Sequence, residues 1–380
     1  MDGAFWIEAT FVVLFTPFAI IYPILLFVNR NLEDKPTRPA ISDRRVLIAI
    51  TTDGGAPNIV RKVITRLRTY ALAAMDIVVV VEENDAFDYG VTRIAVPADF
   101  SPPNGSTSKH RALHYFSTWL GWRGYGSETY VVHLDDDSIV PKRYIEYVLG
   151  MDAEAGQGAL RLRAIGDHLL STVADFGRAI NCAAYCAFFN ERGRPLGVHG
   201  EGLVIRADIE RELGWDFQPV CAEDLLMGHN IAQHGYRFDY IPGGIYIAPP
   251  TSARDFFEQR RRWMVHFYSS LRNIWALSRP TTLWFVWQYS AGGAVIAGLL
   301  VWVWILLTGI RTSYALDGGS TLNVAISLLM YQWQASQTGK VRWNLIALVL
   351  FIPVAVYVSA TSLYFLVVPR STRNTTIEKV

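Results

Sequence analysis

Charge is what this chain has least of. Only 18% of its 380 residues are Asp, Glu, Lys or Arg, against about 25% in a typical soluble chain. The charges that exist nearly cancel: 35 basic and 34 acidic residues leave a formal net charge of +1, so no global field recruits nucleic acid. Cysteine is scarce as well. Cys182, Cys186 and Cys221 are too few and too irregularly spaced for a disulfide framework. Cys182 and Cys186 could share a helix face, but no nearby His or further Cys in the sequence completes a zinc set. Buried free thiols are the better reading. Internal repeats and long low-complexity tracts are missing too, which excludes solenoids and disordered linkers.

Long apolar runs are abundant. The chain is almost wholly apolar from Phe5 to Val28, from Leu283 to Leu307 and from Leu345 to Val368. Each run exceeds the roughly 20 residues that carry a helix across a bilayer. A cleaved signal peptide would begin with basic residues and end at a small-residue site. This chain opens with Asp2 and Glu8, and Asn29-Arg30 with Lys35 and Arg38 follow the run. Basic residues after the span place the N-terminus outside and residue 30 onward in the cytoplasm. The stretch from Ser320 to Ser336 is ambiguous, because Asn323, Gln332 and Gln334 interrupt it. Counting it gives four spans, omitting it gives three. Arg370, Arg373 and Lys379 favour a C-terminus inside, whereas Lys340 and Arg342 favour a cytoplasmic loop after a third C-terminal crossing. The balance tips slightly to four.

The expected organisation is an N-terminal transmembrane helix over residues 1–30 and a soluble domain over 45–262. An interfacial helix follows over 263–282, then two or three transmembrane helices over 283–370 and a tail over 371–380. The interfacial assignment rests on Met264–Ser278, which mixes Trp, Phe and Tyr with Arg272 and His266. Such a segment is too polar to span and too apolar for a free surface.

Within the soluble part, short β-branched runs alternate with amphipathic stretches. Val46–Ile50 is followed by a helical pattern over Asn58–Leu72, then by Ile77–Val81 and Tyr130–Leu134, with a helical run from near Pro141. Fully apolar strands separated by helices indicate an α/β fold with a mostly parallel sheet covered on both faces. Ligands in such sheets bind beyond the carboxyl ends of the strands. The residues to inspect are therefore Thr51 to Gly55, Glu82 to Asp85, and Asp135-Asp136-Asp137.

Three acids directly after a buried strand repel one another unless a cation neutralises them. Carboxylates suit Mg²⁺ or Mn²⁺, which bind through one or two of them together with substrate phosphates. The plain alternative is a solvated acidic loop. A second pair, Glu223-Asp224, opens a helix reaching about His234. These acids either favour the helix dipole or include a base that takes a proton from an acceptor hydroxyl. A third cluster, Gln259-Arg260-Arg261-Arg262-Trp263, either anchors the chain at a membrane surface or sets Arg262 against a diphosphate and Trp263 against a sugar ring.

The order of these motifs resembles that of family 2 glycosyltransferases with a GT-A fold. Asp135 to Asp137 matches D-x-D, Glu223-Asp224 matches E-D, and Gln259 to Trp263 matches the Q-x-x-R-W shared with cellulose, chitin and hyaluronan synthases. Finer features resemble the egghead-type β-1,4-mannosyltransferases: Thr52 to Pro57, Lys109 to Leu113, His133-Leu134-Asp135 and Gly156-Gln157-Gly158. The resemblance covers about residues 45 to 265. It implies that Asp135 and Asp137 hold the metal and that Asp224 is the base. Thr52, Asp53, Glu82, Lys109, Asp136 and Arg262 are implied on the donor side. Glu223, Gln259 and Trp263 are implied on the acceptor side. His199 and Glu201, in the loop Gly197 to Gly202, join them as candidate acceptor contacts. Two positions depart from the pattern: the middle residue of D-x-D is acidic, and Ala222 stands where Thr usually precedes E-D.

The expectation is thus an inverting, metal-dependent glycosyltransferase, integral to a membrane and facing the cytoplasm. That membrane is the plasma membrane in a prokaryote and the ER or Golgi in a eukaryote. Its partners would be a nucleotide-sugar (GDP-mannose or a UDP-hexose), a glycan or glycolipid acceptor, membrane lipids and Mg²⁺ or Mn²⁺, with self-association left open and no nucleic acid. The rivals are a processive polysaccharide synthase, a non-catalytic membrane scaffold and a transporter. The last is disfavoured because the spans carry almost no ionisable residue.

Overall fold

The chain begins with α1 (Gly3–Val28) and then enters the layered domain through β1 (Arg45–Thr51), α2 (Pro57–Arg68), β2 (Met75–Glu82) and β3 (Thr92–Val96). These coordinates are a computed structural model that describes residues 3–163, 168–217, 222–309 and 313–367. Cys221 and the basic residues of the C-terminal tail lie outside the described residues.

The domain continues through α3 (Ser108–Trp122), β4 (Thr129–Asp135), α4 (Lys142–Gly150), β5 (Ala155–Gln157) and β6 (Leu160–Leu162). Next come α5 (Leu169–Asn181), a π-helical turn (Cys182–Cys186) and α6 (Ala187–Asn190). The last part holds β7 (Val204–Arg206), α7 (Ala207–Leu213), α8 (Glu223–Gln233), β8 (Phe238–Tyr240) and β9 (Ile245–Ile247). Seven strands form one sheet in the order β3-β2-β1-β4-β7-β5-β8, with β6 and β9 paired separately. The pairs β1–β2, β1–β4, β2–β3 and β5–β8 are parallel, while β7 runs antiparallel to both β4 and β5. The strands expected from apolar runs are therefore present and central. Every residue of β1 after Arg45 is buried, because helices cover both faces of the sheet.

Element ends deviate where backbone geometry intervenes. The helix expected to reach Leu72 stops at Arg68. Ala71 takes a left-handed φ of 51°, and Tyr70 turns back to donate its hydroxyl to the Val140 carbonyl at 2.8 Å. The helix expected to begin near 263 starts much earlier: α9 spans Ala253–Leu277 without a break. Ser252 caps it by accepting from Asp255 N at 3.0 Å, and Asp255 in turn accepts from the Thr251 hydroxyl at 2.6 Å. With that cap and no Gly or Pro inside, the Q-x-x-R-W residues sit within a helix that crosses the expected boundary.

Three further helices follow: α10 (Arg279–Thr308), α11 (Tyr314–Ser336) and α12 (Arg342–Val367). The ambiguous 320–336 stretch is thus one continuous helix. Its polar residues Ser320, Asn323, Ser327 and Gln334 are buried. Ser320 donates to Glu8 at 2.9 Å and Asn323 to Thr16 at 3.0 Å, both in α1. Among the described residues, two segments are long and apolar enough to cross a membrane, Gly3–Asp34 and Arg342–Ser362.

Candidate functional site

The loops after β1, β2 and β4 emerge on one edge of the sheet, because these strands are parallel and in register. Thr51 pairs with Asp135 across β1 and β4. The next residues on each strand therefore meet: Thr52 donates its hydroxyl to Asp136 at 3.1 Å. Asp136 is fully buried, while Asp135 and Asp137 on either side remain partly open. The split arises where β4 ends at Asp135: Asp136 and Asp137 form the turn that follows, and Asp136 is turned in onto Thr52. The two outer carboxylates are thus the partly open ones, and Asp136 braces the loop through Thr52. Arg163 holds that loop from the other side, donating to the Asp137 carbonyl at 2.6 Å.

Lys109, from the first turn of α3, forms an ion pair with Asp135. Burial disfavours its charge, yet Asp135, Glu223 and Glu201 together hold its proton above the ordinary lysine range. The Lys109 ammonium neutralises this carboxylate. Glu82, at the end of β2, pairs with Arg111 of α3. Asp53 is exposed and accepts from Gly55 N at 2.9 Å, a tight local turn.

Asp224 reaches the same place from the opposite side of the sheet's switch between β4 and β7. It lies in the first turn of α8, after Ala222 in a left-handed conformation with φ 54°. Asp224 accepts from Leu225 N at 2.8 Å. Burial raises its pKa to about 6, aided by Glu223 and opposed by Lys109 and His199. Gly200 explains how the 197–202 loop can join this cluster. A Cβ there would lie 2.6 Å from Lys109 Nζ and 3.6 Å from Asp224 Oδ2.

That loop is held by Gln157, which is fully buried. Its side chain receives the His199 N–H at 3.0 Å and donates to the Glu201 carbonyl at 2.8 Å and to the His199 carbonyl. Glu201 pairs with Arg178 of α5 at 2.5 Å. Burial opposes the charge on Glu201, but Arg178, His199 and Lys109 outweigh it and bring its pKa down to about 2. His199, expected as an acceptor contact, directs Nε2 at Cys186 Sγ, 3.5 Å away.

The Q-x-x-R-W helix reaches the site through α5. Arg260 pairs with the buried Asp175. The guanidinium groups of Arg178 and Arg260 lie over the Trp263 ring, 4.9 and 4.1 Å from its centre. Both cations thus contact the ring on which the sequence reading sets a sugar. Arg262, expected on the diphosphate, is exposed. Gln259 buries Oε1 with no hydrogen-bond partner among the described residues. Sequence reasoning missed Arg178, Asp175, Arg163 and Glu210. The last is fully buried and holds His133 at 3.0 Å and Trp215 at 2.9 Å under the acidic loop. No local pattern marks these residues, because each has a partner 23 or more residues away along the chain.

A mostly parallel sheet with acids gathered at its carboxyl edge is the GT-A arrangement of nucleotide-sugar glycosyltransferases. The mannosyltransferase PcManGT from Pyrobaculum calidifontis, solved with GDP-Man and Mn²⁺, shares the fold: the likeness covers 91% of this chain and 99% of that one, with a TM-score of 0.54 and 17% identity. Residues 130–370 match glycosyl transferase family group 2, and this chain belongs to that family. The β-1,4-mannosyltransferase bre-3 of Caenorhabditis elegans is 28% identical over 184 residues, 46% of this chain and 40% of the relative. The β-1,4-mannosyltransferase egh of Drosophila melanogaster is 26% identical over 183 residues, with the same shares. The matched part of the chain spans 40% of the length of these curated relatives.

Proposed function

We propose that the chain transfers a hexose from a nucleotide-sugar to a hydroxyl of a saccharide or lipid-linked acceptor, with inversion to a β-glycoside. One observation carries this reading: Asp224, Lys109 and Asp135 converge at the carboxyl edge of β1 and β4, with Asp137 in the turn that follows β4. The presence of GDP-Man in the complex of PcManGT and the mannosyltransferase relatives favour GDP-mannose as the first donor to try.

Asp135 and Asp137 fit a divalent ion: both are hard oxygen ligands and both are partly open. A bound Mg²⁺ or Mn²⁺ would neutralise charge on the departing diphosphate. The chain's own residues supply the rest. Asp224 accepts the acceptor hydroxyl proton, and a carboxyl poised near pH 6 suits that task. Lys109 places a second positive charge beside the donor side. Gln259, with its orphaned Oε1, supplies an acceptor for a sugar hydroxyl. Asp224 acting as base on the acceptor hydroxyl gives a single displacement, which inverts the anomeric centre. The helices α1, α10, α11 and α12 would hold the domain on the cytoplasmic face of a membrane.

The test uses the full chain purified in detergent with a panel of GDP-mannose and UDP-hexoses and a set of saccharide and glycolipid acceptors. Acceptor-dependent diphosphate release, with a β-linked product by NMR, is expected. A ladder of product lengths would identify a processive synthase, and no release with any donor would overturn the enzymatic reading.

A further inference from the structure

The fold places three metal-ligating side chains together, none of them a carboxylate of the acidic edge. Cys182 and Cys186 occupy the π-helical turn after α5, and His199 comes from the loop before β7. Their ligand atoms all lie within 4.8 Å of one another. Both thiols are free and buried.

The spacing suits a tetrahedral ion. Zinc takes thiolate at about 2.3 Å and imidazole at about 2.0–2.1 Å, so a tetrahedral S···N edge is about 3.5 Å. Cys186 Sγ and His199 Nε2 are 3.5 Å apart. The approach is also built into the backbone. Gly197 leaves room for Cys186, since a Cβ there would come within 2.8 Å of the sulfur. Gln157 fixes the His199 backbone at both its N–H and its carbonyl. Leu160 N donates to Cys182 Sγ at 3.2 Å, a contact that favours a thiolate. Widened π turns recur at functional sites.

Charge balance points the same way. The adjacent Arg178–Glu201 pair is neutral as a unit. A divalent ion with two thiolates adds no net charge to that buried region, whereas an isolated buried charge is costly.

We propose that Cys182, Cys186 and His199 bind one Zn²⁺, with the fourth position left to water, and that this ion pins the 197–202 loop to the end of α5. The loop carries Gly200 and Glu201, so the ion would set the wall of the site without touching the transferred sugar. This site offers sulfur and nitrogen ligands, unlike the carboxylates of Asp135 and Asp137.

The experiment measures zinc by plasma mass spectrometry on the full chain, purified in detergent with a tag free of histidine and equilibrated with Zn²⁺. One Zn²⁺ per chain is expected, retained in Asp137→Ala and lost in Cys186→Ser and His199→Ala. Equilibration of the unsubstituted protein with Co²⁺ alone gives a second readout that needs no variant to fold. It should show thiolate-to-cobalt charge transfer in the near ultraviolet and strong tetrahedral bands in the visible. Zinc that survives Cys186→Ser, cobalt spectra without a thiolate band, or a Cys182–Cys186 disulfide in the isolated protein would overturn the proposal.

Discussion

Asp224 shows how one side chain couples chemistry to stability. Its pKa is raised to about 6, first by burial and then by Glu223, so the folded state holds this proton more tightly than an unfolded chain with a pKa of about 3.9. The stability linked to that proton is complete below about pH 4 and is lost as pH rises through about 6. Asparagine does not ionise and escapes the loss. Asp224→Asn should therefore unfold later than the parent at neutral pH, by up to roughly 3 kcal/mol, with the difference gone near pH 4. Thermal unfolding at the two pH values checks this. In the same variant, turnover should fall ~10²–10⁴-fold while donor affinity persists, measured by calorimetry beside product formation. If donor binding collapses, Asp224 is a binding residue instead. The parent's kcat/KM should decline below about pH 6, where the base becomes protonated. A flat profile from pH 5 to 8, the range around that value, would count against it. The acidic triplet gives a second residue-scale expectation: EDTA abolishes transfer, Mn²⁺ or Mg²⁺ restores it, and Asp137→Ala weakens donor binding. Asp136→Asn should instead act on folding, because that carboxyl is buried against Thr52.

At the level of elements, the joint between α5 and α9 decides how the Q-x-x-R-W residues meet the sheet. Three arginines in a row look equivalent in sequence, yet their surroundings differ. Arg260 is paired with buried Asp175, Arg261 with Glu258 at 2.7 Å, and Arg262 is exposed. Leaving a buried partner uncompensated typically costs ~3–5 kcal/mol. Arg260→Ala should thus lower the unfolding temperature sharply, whereas Arg262→Ala should leave it unchanged and reduce turnover. Equal thermal stability of the two would refute the joint as drawn. Glycines at the sheet edge make a similar distinction. A Cβ at Gly158 would lie 2.5 Å from the Ile241 carbonyl, which is backbone and cannot yield; at Gly200 it meets the mobile end of Lys109. Gly158→Ala should destabilise by ~1–3 kcal/mol, while Gly200→Ala should keep the fold and lose activity. Paired melting curves and rate measurements separate the two cases. β1, β2 and β4 were legible beforehand because each is a buried apolar run rich in Val and Ile; β3, β5, β6, β8 and β9 were not, being three to five residues long with no such run. The start of α9 was not, since its cap at Ser252 lies outside the segment whose composition looked interfacial.

For the whole molecule, the question is how the terminal helices sit. α11 is too polar to read cleanly as a span, but the buried Ser320 hydroxyl and Asn323 amide NH₂ donate to Glu8 and Thr16 of α1. Polar side chains inside a bilayer need such partners. The four long helices should therefore behave as one membrane unit. The protein should remain in the pellet after alkaline carbonate washing, and a protease added to sealed inside-out vesicles should digest the 45–262 domain. Release by carbonate, or protection of that domain in such vesicles, would reverse the assignment.

Some properties were local and so were settled by the sequence: the length of the apolar runs, the acids following buried strands, and the order of the three motifs. Each depends on neighbours within a few residues, where strand alternation and helix length are simple rules. Other properties arose only when distant segments packed together. Asp136 turned inward because β1 and β4 pair in one register. Arg178 met Glu201, and His199 met Cys182 and Cys186, because Gln157 holds the 197–202 loop against the end of α5. Cysteine spacing alone had argued against any metal set. The third ligand was supplied by a loop whose position is dictated by buried hydrogen bonds and glycine-sized gaps, and neither leaves a periodic mark in the chain.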